Sequence, residues 1–461
     1  MRHMTSVQPR YDFFVVIVVV IALILRFYKI GVWSFWEDEL FTLLGLNDGF
    51  NFTVLRESTS HILIRQALRF LPLTESVART VPALFGVITV PTLYLLLRHI
   101  RGPKPALIAA IMLAVAPWHI FWSQNARYPS AQLLFYTVAL LLFYIGLEED
   151  RPWLLLSSLL FIVLAAKERL TALFILPVLA VYVSCLALPF FAKPKGLRWQ
   201  YLIWVGLPVV IVGTFFAGPY IQDLSGWMRG FGGATSTPQR IVTGVVLRIG
   251  FSLAVVASVT SFYLLRQRDR FALLLVISGV LPVIIMACLS LFHAASNRYL
   301  FVVLTSWIVL AAIGFDRLLT AATARNRLLY FSVIGVLLLE PMLMNVGYYN
   351  QFKGYRHDYR AAFDYIQQNR TEDDLVIAFQ PRLAYFYGLS DARYPTPITH
   401  RYVEKQGKRT WFTGNPMSGR VSPSLRKWIA DNTQEVGNFD VYVPGRTMAV
   451  EVQLYDPNID Q

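Results

Sequence analysis

The sequence predicts a membrane all-α fold of about eleven transmembrane helices, followed by a small extracytoplasmic α/β domain. Three observations predict it. Apolar residues recur in runs near the ~20 residues that cross a bilayer. The chain is 56% hydrophobic and 15% charged, where an average soluble domain is ~25% charged. Lys and Arg collect in alternate loops between the runs, and residues 351–461 lose the long runs and take on soluble composition.

In chain order, the first run, Phe13 to Tyr28, follows Arg2 and Arg10 and resembles a signal sequence. The chain continues as Trp33-Ser34-Phe35-Trp36-Glu37 with no small-residue cleavage site, so 13–28 is read as a retained first helix. Hydropathy places the others at 80–97, 105–122, 131–147, 153–165, 171–190, 201–218, 241–265, 271–292, 300–314 and 329–346. With the N-terminus in the cytoplasm, the inner loops are 1–12, 98–104, 148–152, 191–200, 266–270 and 315–328. They carry 15 Lys and Arg in 53 residues. The outer loops 29–78, 123–130, 166–170, 219–240 and 293–299 carry 10 in 92. The inner density is more than twice the outer, as the positive-inside rule requires for a multi-pass protein of a plasma (inner) membrane. Glu148, Glu149 and Asp150 in loop 148–152 are discordant.

An odd helix count puts everything after Tyr348 outside. In this tail 358–369 has helical spacing and Leu375 to Phe379 reads as a buried strand. Pro423 to Asp431 reads as a helix capped by Ser422, and Val441-Tyr442-Val443 as a strand before Pro444-Gly445. The expected domains are therefore a transmembrane catalytic domain over 1–350, with a first outer loop at 29–79, and a soluble domain over 351–461.

The net charge of +14 would suggest nucleic acid in a soluble protein. Here much of it sits in short loops, where it sets orientation, so membrane lipids are the expected partner and nucleic acid is not. Cys185 and Cys288 each lie inside an apolar run and read as packing thiols, not a disulfide framework.

The longest outer loop begins Trp33-Ser34-Phe35-Trp36-Glu37-Asp38-Glu39-Leu40. Three consecutive acids directly after a membrane helix are costly near hydrocarbon, and a solvated turn with tryptophan anchors is the plain alternative. Their chemical use would be to take the proton from an acceptor hydroxyl, with a neighbouring acid positioning the base or raising its pKa. Basic residues occupy the outer helix ends: Arg79, Arg127, Lys167 and Arg169 around Glu168, and Arg298 beside Tyr299. Each alone fits snorkelling to headgroups; together with the acids they point to an anionic substrate, since a leaving phosphate needs charge neutralisation that Arg supplies bidentately. His61 shares the loop of Asp38 and is a weaker ligand or proton-transfer candidate. No His, Cys, Asp and Glu spacing supports a divalent metal, no cofactor is firmly implied, and no Gly-rich loop cradles a nucleotide. Asp373-Asp374 reads as an ordinary turn.

Asp38-Glu39 after the first helix resembles the Asp-Glu motif of glycosyltransferase family 39, the group of protein O-mannosyltransferases and lipid A aminoarabinose transferases. Arg79-Thr80-Val81-Pro82-Ala83-Leu84-Phe85-Gly86-Val87 resembles the family's R-x-P-S-A-L-F-G-V at helix two. Ala116-Pro117-Trp118-His119-Ile120 through Ser123-Gln124-Asn125-Ala126-Arg127-Tyr128 is similar to its S-P-x-H-I…S-Q-E-A-R-x-Y. The resemblance is strongest over 30–147; beyond it, Lys167 and Arg298-Tyr299 look like the family's later basic positions. Asn125 stands where an acid is common, and Ser58-Thr59-Ser60-His61-Ile62 replaces a His-Pro-Pro-Leu. The resemblance implies a GT-C fold, a polyprenyl-phosphate-linked sugar donor, a lipid, glycan or protein acceptor, and an inverting single displacement. Asp38 would be the base and Glu39 would assist. Arg298, Lys167, Arg127, Arg79, His61 and Tyr299 would contact substrate or its phosphate.

Two rivals remain at this stage. A transporter or flippase of lipid-linked glycans would place charges near mid-membrane, with broken helices and internal repeats. A polysaccharide ligase or polymerase would use a preassembled glycan.

Overall fold

The computed structural model describes residues 8–43, 57–198, 200–201, 237–292, 295–321, 327–415 and 421–458. Two compact units emerge, one from Met1–Tyr28, Phe50–Leu63 and Thr80–Met344, the other from Lys29–Gly49, Ile64–Arg79 and Asn345–Gln461. The first nine helices are α1 Gln8–Phe27, α2 Glu37–Leu43, α3 Thr59–Phe70, α4 Glu75–Arg101, α5 Pro103–Val115, α6 Pro117–Ser123, α7 Pro129–Glu149, α8 Pro152–Glu168 and α9 Ile175–Ala187. Pro238–Ile249, Phe251–Arg266, Arg270–Leu289, Leu304–Ala321 and Arg327–Asn350 follow. Every expected helix except 201–218 has a counterpart; that one lies outside the described residues. By length and composition, five described helices are fit to cross a membrane, or up to seven if each bent pair is one span.

Two expected spans are broken, and the residues at the breaks explain why. The run 105–122 bends by 58° between α5 and α6. Pro117 opens α6, and a residue before proline is pushed out of the helical region, so Ala116 is extended at φ −62°, ψ 117°. The run 241–265 bends by 98° at Gly250, whose φ of 101° is costly for any side-chain-bearing residue. Carbonyls freed at the first break are taken internally. Arg26, fully buried, donates to the Ala114 oxygen at 3.0 Å and the Leu113 oxygen at 3.2 Å, and its Nη2 meets His119 Nδ1 at 2.7 Å.

Within the first unit, α7 and the stretch Asn297–Thr320 are central, each 89% buried across the apolar window, while Leu170–Ala187 is only 33% buried and faces outward. Small polar side chains join the central helices, as close membrane packing favours: Thr137 Oγ1 donates to Thr305 Oγ1 at 3.1 Å and Ser306 Oγ to Ser278 Oγ at 3.1 Å. The three discordant acids are neutralised at one end of the bundle. Glu148 takes both forks of Arg270 at 2.8 and 2.5 Å, Asp150 pairs with Arg198, and Glu149 with Arg151 and His99. Apart from Arg151 in the same loop, their partners Arg270, Arg198 and His99 come from other expected inner loops, so these acids need no separate place in the charge asymmetry.

The second unit is built on a four-stranded sheet of order β1-β2-β6-β3, from β1 Leu375–Ala378, β2 Thr410–Gly414, β3 Gln434–Asn438 and β6 Glu451–Tyr455. β1 and β2 are parallel, and β6 is antiparallel to both β2 and β3. β4 Val441–Val443 and β5 Arg446–Met448 form a separate hairpin across Pro444-Gly445. Ile377, Phe379, Phe412, Val421, Leu425 and Ile429 form the core. Ser422 Oγ accepts the Leu425 N–H and caps Pro423–Asn432 as its position predicts. Asp374 closes its turn by accepting from Thr371 and from the Trp411 indole at 2.7 Å. Lys353, Gly354 and Tyr355 are consecutively left-handed at φ 41°, 65° and 55°. That conformation costs about 1–2 kcal/mol for each residue bearing a side chain.

Candidate functional site

The acid pair lies in the second unit on α2, which begins at Glu37, so that Glu37, Asp38 and Glu39 occupy its first turn. Acids are favourable there because they face the unsatisfied N–H groups of a helix start. Successive side chains on a helix point in different directions, and the two acids part company. Glu39 is fully buried and Asp38 half-buried. Glu39 holds Arg79 by a bidentate pair, Nε to Oε1 and Nη2 to Oε2, each 2.8 Å. Arg79 also donates to the backbone oxygens of Ile30 at 3.0 Å, Trp33 at 2.9 Å and Ser34 at 3.1 Å. A guanidinium has five N–H donors, and these bonds use all five. Arg79 has no donor left for a phosphate; it ties the chain entering α2 to Glu39. A second guanidinium, Arg356, is 2% exposed with Nε 3.6 Å from Glu39 Oε2. Burial, with Arg79 beside it, lowers its pKa from the ordinary arginine value.

The first unit carries an aromatic and basic array. The Arg127 guanidinium lies over the Tyr128 ring at 5.4 Å, and Arg169 lies over both Tyr128 and Tyr299 at 5.7 and 5.5 Å. Arg298 lies over Tyr299 at 4.9 Å and donates to its hydroxyl at 2.9 Å. Three guanidiniums are thus spaced by two rings, a cation–π arrangement that holds like charges together. The local chain explains each position. Tyr128 caps α7 ahead of Pro129, Arg169 is extended where α8 ends, and Ser296 accepts the Arg298 N–H to start a 3-10 turn over Asn297–Val303. Burial raises the Tyr128 pKa, so the ring stays neutral between its cations.

His61 meets the same array, its ring 6.3 Å from that of Tyr128. Its place is set by Glu168, whose carboxylate accepts from the Ser60 N–H at 3.2 and 3.3 Å and from Ser60 Oγ at 2.5 Å, while Ser58 Oγ accepts the His61 N–H. Glu168 is 4% exposed, and burial pushes its pKa up to about 7 despite the hydrogen bonds.

The structure therefore brings Arg127, Arg298, Tyr299 and His61 together around Tyr128 and Arg169. Lys167, half-buried, makes no hydrogen bond or ion pair among the described residues. Arg169, already counted among the outward basic residues, was not among the positions assigned to substrate, and Tyr128, Glu168 and Arg356 were not singled out at all. The first three sit in segments it quoted, and their signal was adjacency to Arg127 and Lys167. Arg356 carried no spacing that links it to Glu39. Among the described residues no three His, Cys, Asp or Glu side chains gather as a metal site.

Residues 63–213 match the family model described as dolichyl-phosphate-mannose-protein mannosyltransferase. That segment includes Arg79, Arg127, Lys167 and Arg169 and begins beyond the acid pair. Among solved structures, the chain is similar to ArnT from Cupriavidus metallidurans bound to undecaprenyl phosphate. The TM-score is 0.62 at 16% identity, over 96% of this chain and 98% of that one. The apo state of the same protein gives 0.59 at 15% identity over the same shares. The Archaeoglobus fulgidus oligosaccharyltransferase, tethered with an acceptor peptide containing the NVT sequon, gives 0.58 at 12% identity, over 96% of this chain and 74% of that one. No curated protein matches the sequence. At these identities the likeness speaks to the fold. The chain has a GT-C membrane fold, mostly helical, with a small C-terminal sheet region.

Proposed function

We propose that this chain is an inverting glycosyltransferase that moves a sugar from a polyprenyl-phosphate carrier to a lipid, glycan or protein acceptor on the outer face of the membrane. The observation that carries the reading is the array of Arg127, Arg169 and Arg298 over Tyr128 and Tyr299, in a fold shared with a protein seen with undecaprenyl phosphate bound. Three cations held against neutral rings form a preorganised seat for a lipid phosphate and for the charge that grows on it as the glycosidic bond breaks. In this reading the acceptor hydroxyl attacks the anomeric carbon from the face opposite the phosphate. Asp38 takes its proton, and the carrier phosphate departs to the arginines. Glu39 and Arg79 act at one remove, holding the loop that presents Asp38. Residues 1–350 would be the transmembrane catalytic domain and 351–461 the extracytoplasmic one, with the N-terminus cytoplasmic.

The broken helices are the feature a transporter would share. A transporter turns the freed carbonyls toward its substrate or coupling ion, whereas here Arg26 takes those of Leu113 and Ala114. Binding of a carrier phosphate tests the proposal. Arg298→Ala is expected to weaken polyprenyl-phosphate affinity by about 10- to 100-fold, the scale of a lost charge-assisted hydrogen bond. Arg298→Lys should restore it only partly, because the planar fork is gone. Unchanged affinity in both variants would reduce Arg298 to a headgroup anchor.

A further inference from the structure

We infer that the bent helix Pro238–Ile249 sets where Arg298 sits, and that Glu340, which secures the bend, is a positioning residue for the carrier phosphate. The inference rests on the proposed role of Arg298. All the residues it uses lie in the first unit.

Glu340 is an acid inside an apolar helix, about ten residues before the helix ends at Asn350. That is ~15 Å along the axis, half the ~30 Å thickness of a hydrocarbon core. A carboxylate is expensive there and calls for a specific partner. Its partner is the helix start beyond the Gly250 break. Glu340 Oε1 accepts the Phe251 N–H at 2.8 Å, and Oε2 accepts the Ser252 N–H at 2.9 Å and the Ser252 hydroxyl at 2.6 Å. The first N–H groups of a helix have no partner within it and carry partial positive charge, so the carboxylate satisfies them and is itself stabilised.

The bend it secures is 98°, and it brings Pro238–Ile249 against the turn Asn297–Val303. Two contacts seat the helix there. Gly244 meets the Asn297 side chain so closely that a Cβ would lie 1.8 Å from Asn297 Nδ2 and 2.9 Å from its Cγ. One helical turn on, the Arg248 guanidinium lies 5.7 Å over the Trp118 ring, which packs edge-on against Phe301 at 5.2 Å. Residues four apart share a helix face, so one face of the bent helix reaches the turn at Asn297 directly and at Phe301 through Trp118. Arg298 and Tyr299 lie between those points. A charge-assisted hydrogen bond to phosphate depends on distance and direction, so a displacement of Asn297 is felt by the guanidinium one residue on.

The test measures the affinity of the purified full-length protein for a short-chain polyprenyl phosphate. Gly244→Ala should weaken it on the order of tenfold, the scale of coupling between residues in contact. Gly244→Ala combined with Asn297→Ala should bind better than Gly244→Ala alone, because the obstacle is gone. Glu340→Gln keeps the volume, loses the charge and should also weaken binding; it adds no atom, so it decides the matter even where Gly244→Ala does not fold. Neither Gly244→Ala nor Glu340→Gln should weaken binding further in an Arg298→Ala background. Loss of Tm without loss of affinity, no relief from Asn297→Ala, or effects that add to that of Arg298→Ala would each overturn the inference. If Arg298→Ala itself leaves affinity unchanged, the proposed phosphate role falls and takes this inference with it. A weakened Arg298→Ala beside normal binding in Gly244→Ala and Glu340→Gln sinks the inference alone.

Discussion

At the scale of single residues, chemical type was legible and direction was not. The acids after the first helix and the basic residues at helix ends announce themselves by their cost near a membrane. Nothing in three adjacent acids says that Glu39 turns inward to Arg79 and Asp38 does not. Glu168 was equally opaque, because its meaning comes from Ser58 and Ser60, more than a hundred positions away in the chain. Its burial gives a pH signature. With the folded pKa pushed up to about 7, the folded protein holds this proton more tightly than the unfolded chain. The stabilisation is fully present below about pH 4.5 and is lost as pH rises through 7, a change on the order of 3 kcal/mol. Thermal unfolding between pH 5 and 8 should show Tm falling with pH in wild type and a flatter profile in Glu168→Gln. Parallel profiles would mean that Glu168 titrates as an ordinary surface carboxyl.

At the scale of elements, helix positions followed from apolar run length, and interruptions were harder to see. Pro117 and Gly250 were both in view, yet a run that stays apolar across a proline or glycine reads as one span, because hydropathy averages over direction. Close approaches between helices were also hidden. At Gly86 in α4, an added Cβ would lie 2.1 Å from Ser123 Oγ and 3.0 Å from Arg26 Nε. The glycine lets α4 sit against the buried arginine that caps the break after α5. Gly86→Ala should cost about 1–3 kcal/mol, the range for overpacking a filled interior. The loss should be smaller in a Ser123→Gly background. Chemical denaturation of the four proteins of that cycle measures it, and an additive cycle would show that Ser123 is not the obstacle.

At the scale of the whole molecule, the helical bundle and the small C-terminal domain were legible because a bilayer forces long apolar runs and a soluble domain forbids them, whereas the GT-C fold came only from the motif resemblance around Asp38-Glu39, Arg79 and Ser123 to Tyr128. The partition into two units was not legible, since residues 29–49 and 64–79 group with the C-terminal unit rather than with the helices that flank them. Sidedness has its own test. Ser390 is exposed; in a chain with Cys185 and Cys288 replaced, Ser390→Cys should react with a membrane-impermeant maleimide in intact cells. Labelling only after lysis would put residues 351–461 inside and remove Asp38 from the face where the carrier is proposed to act. The central claim, that Asp38 is the base of a glycosyl transfer, is tested most directly by Asp38→Asn in the purified protein. The account predicts normal folding and carrier binding with transfer reduced at least ~10²-fold, the lower end for loss of a general base. Near-normal turnover in that variant would contradict it.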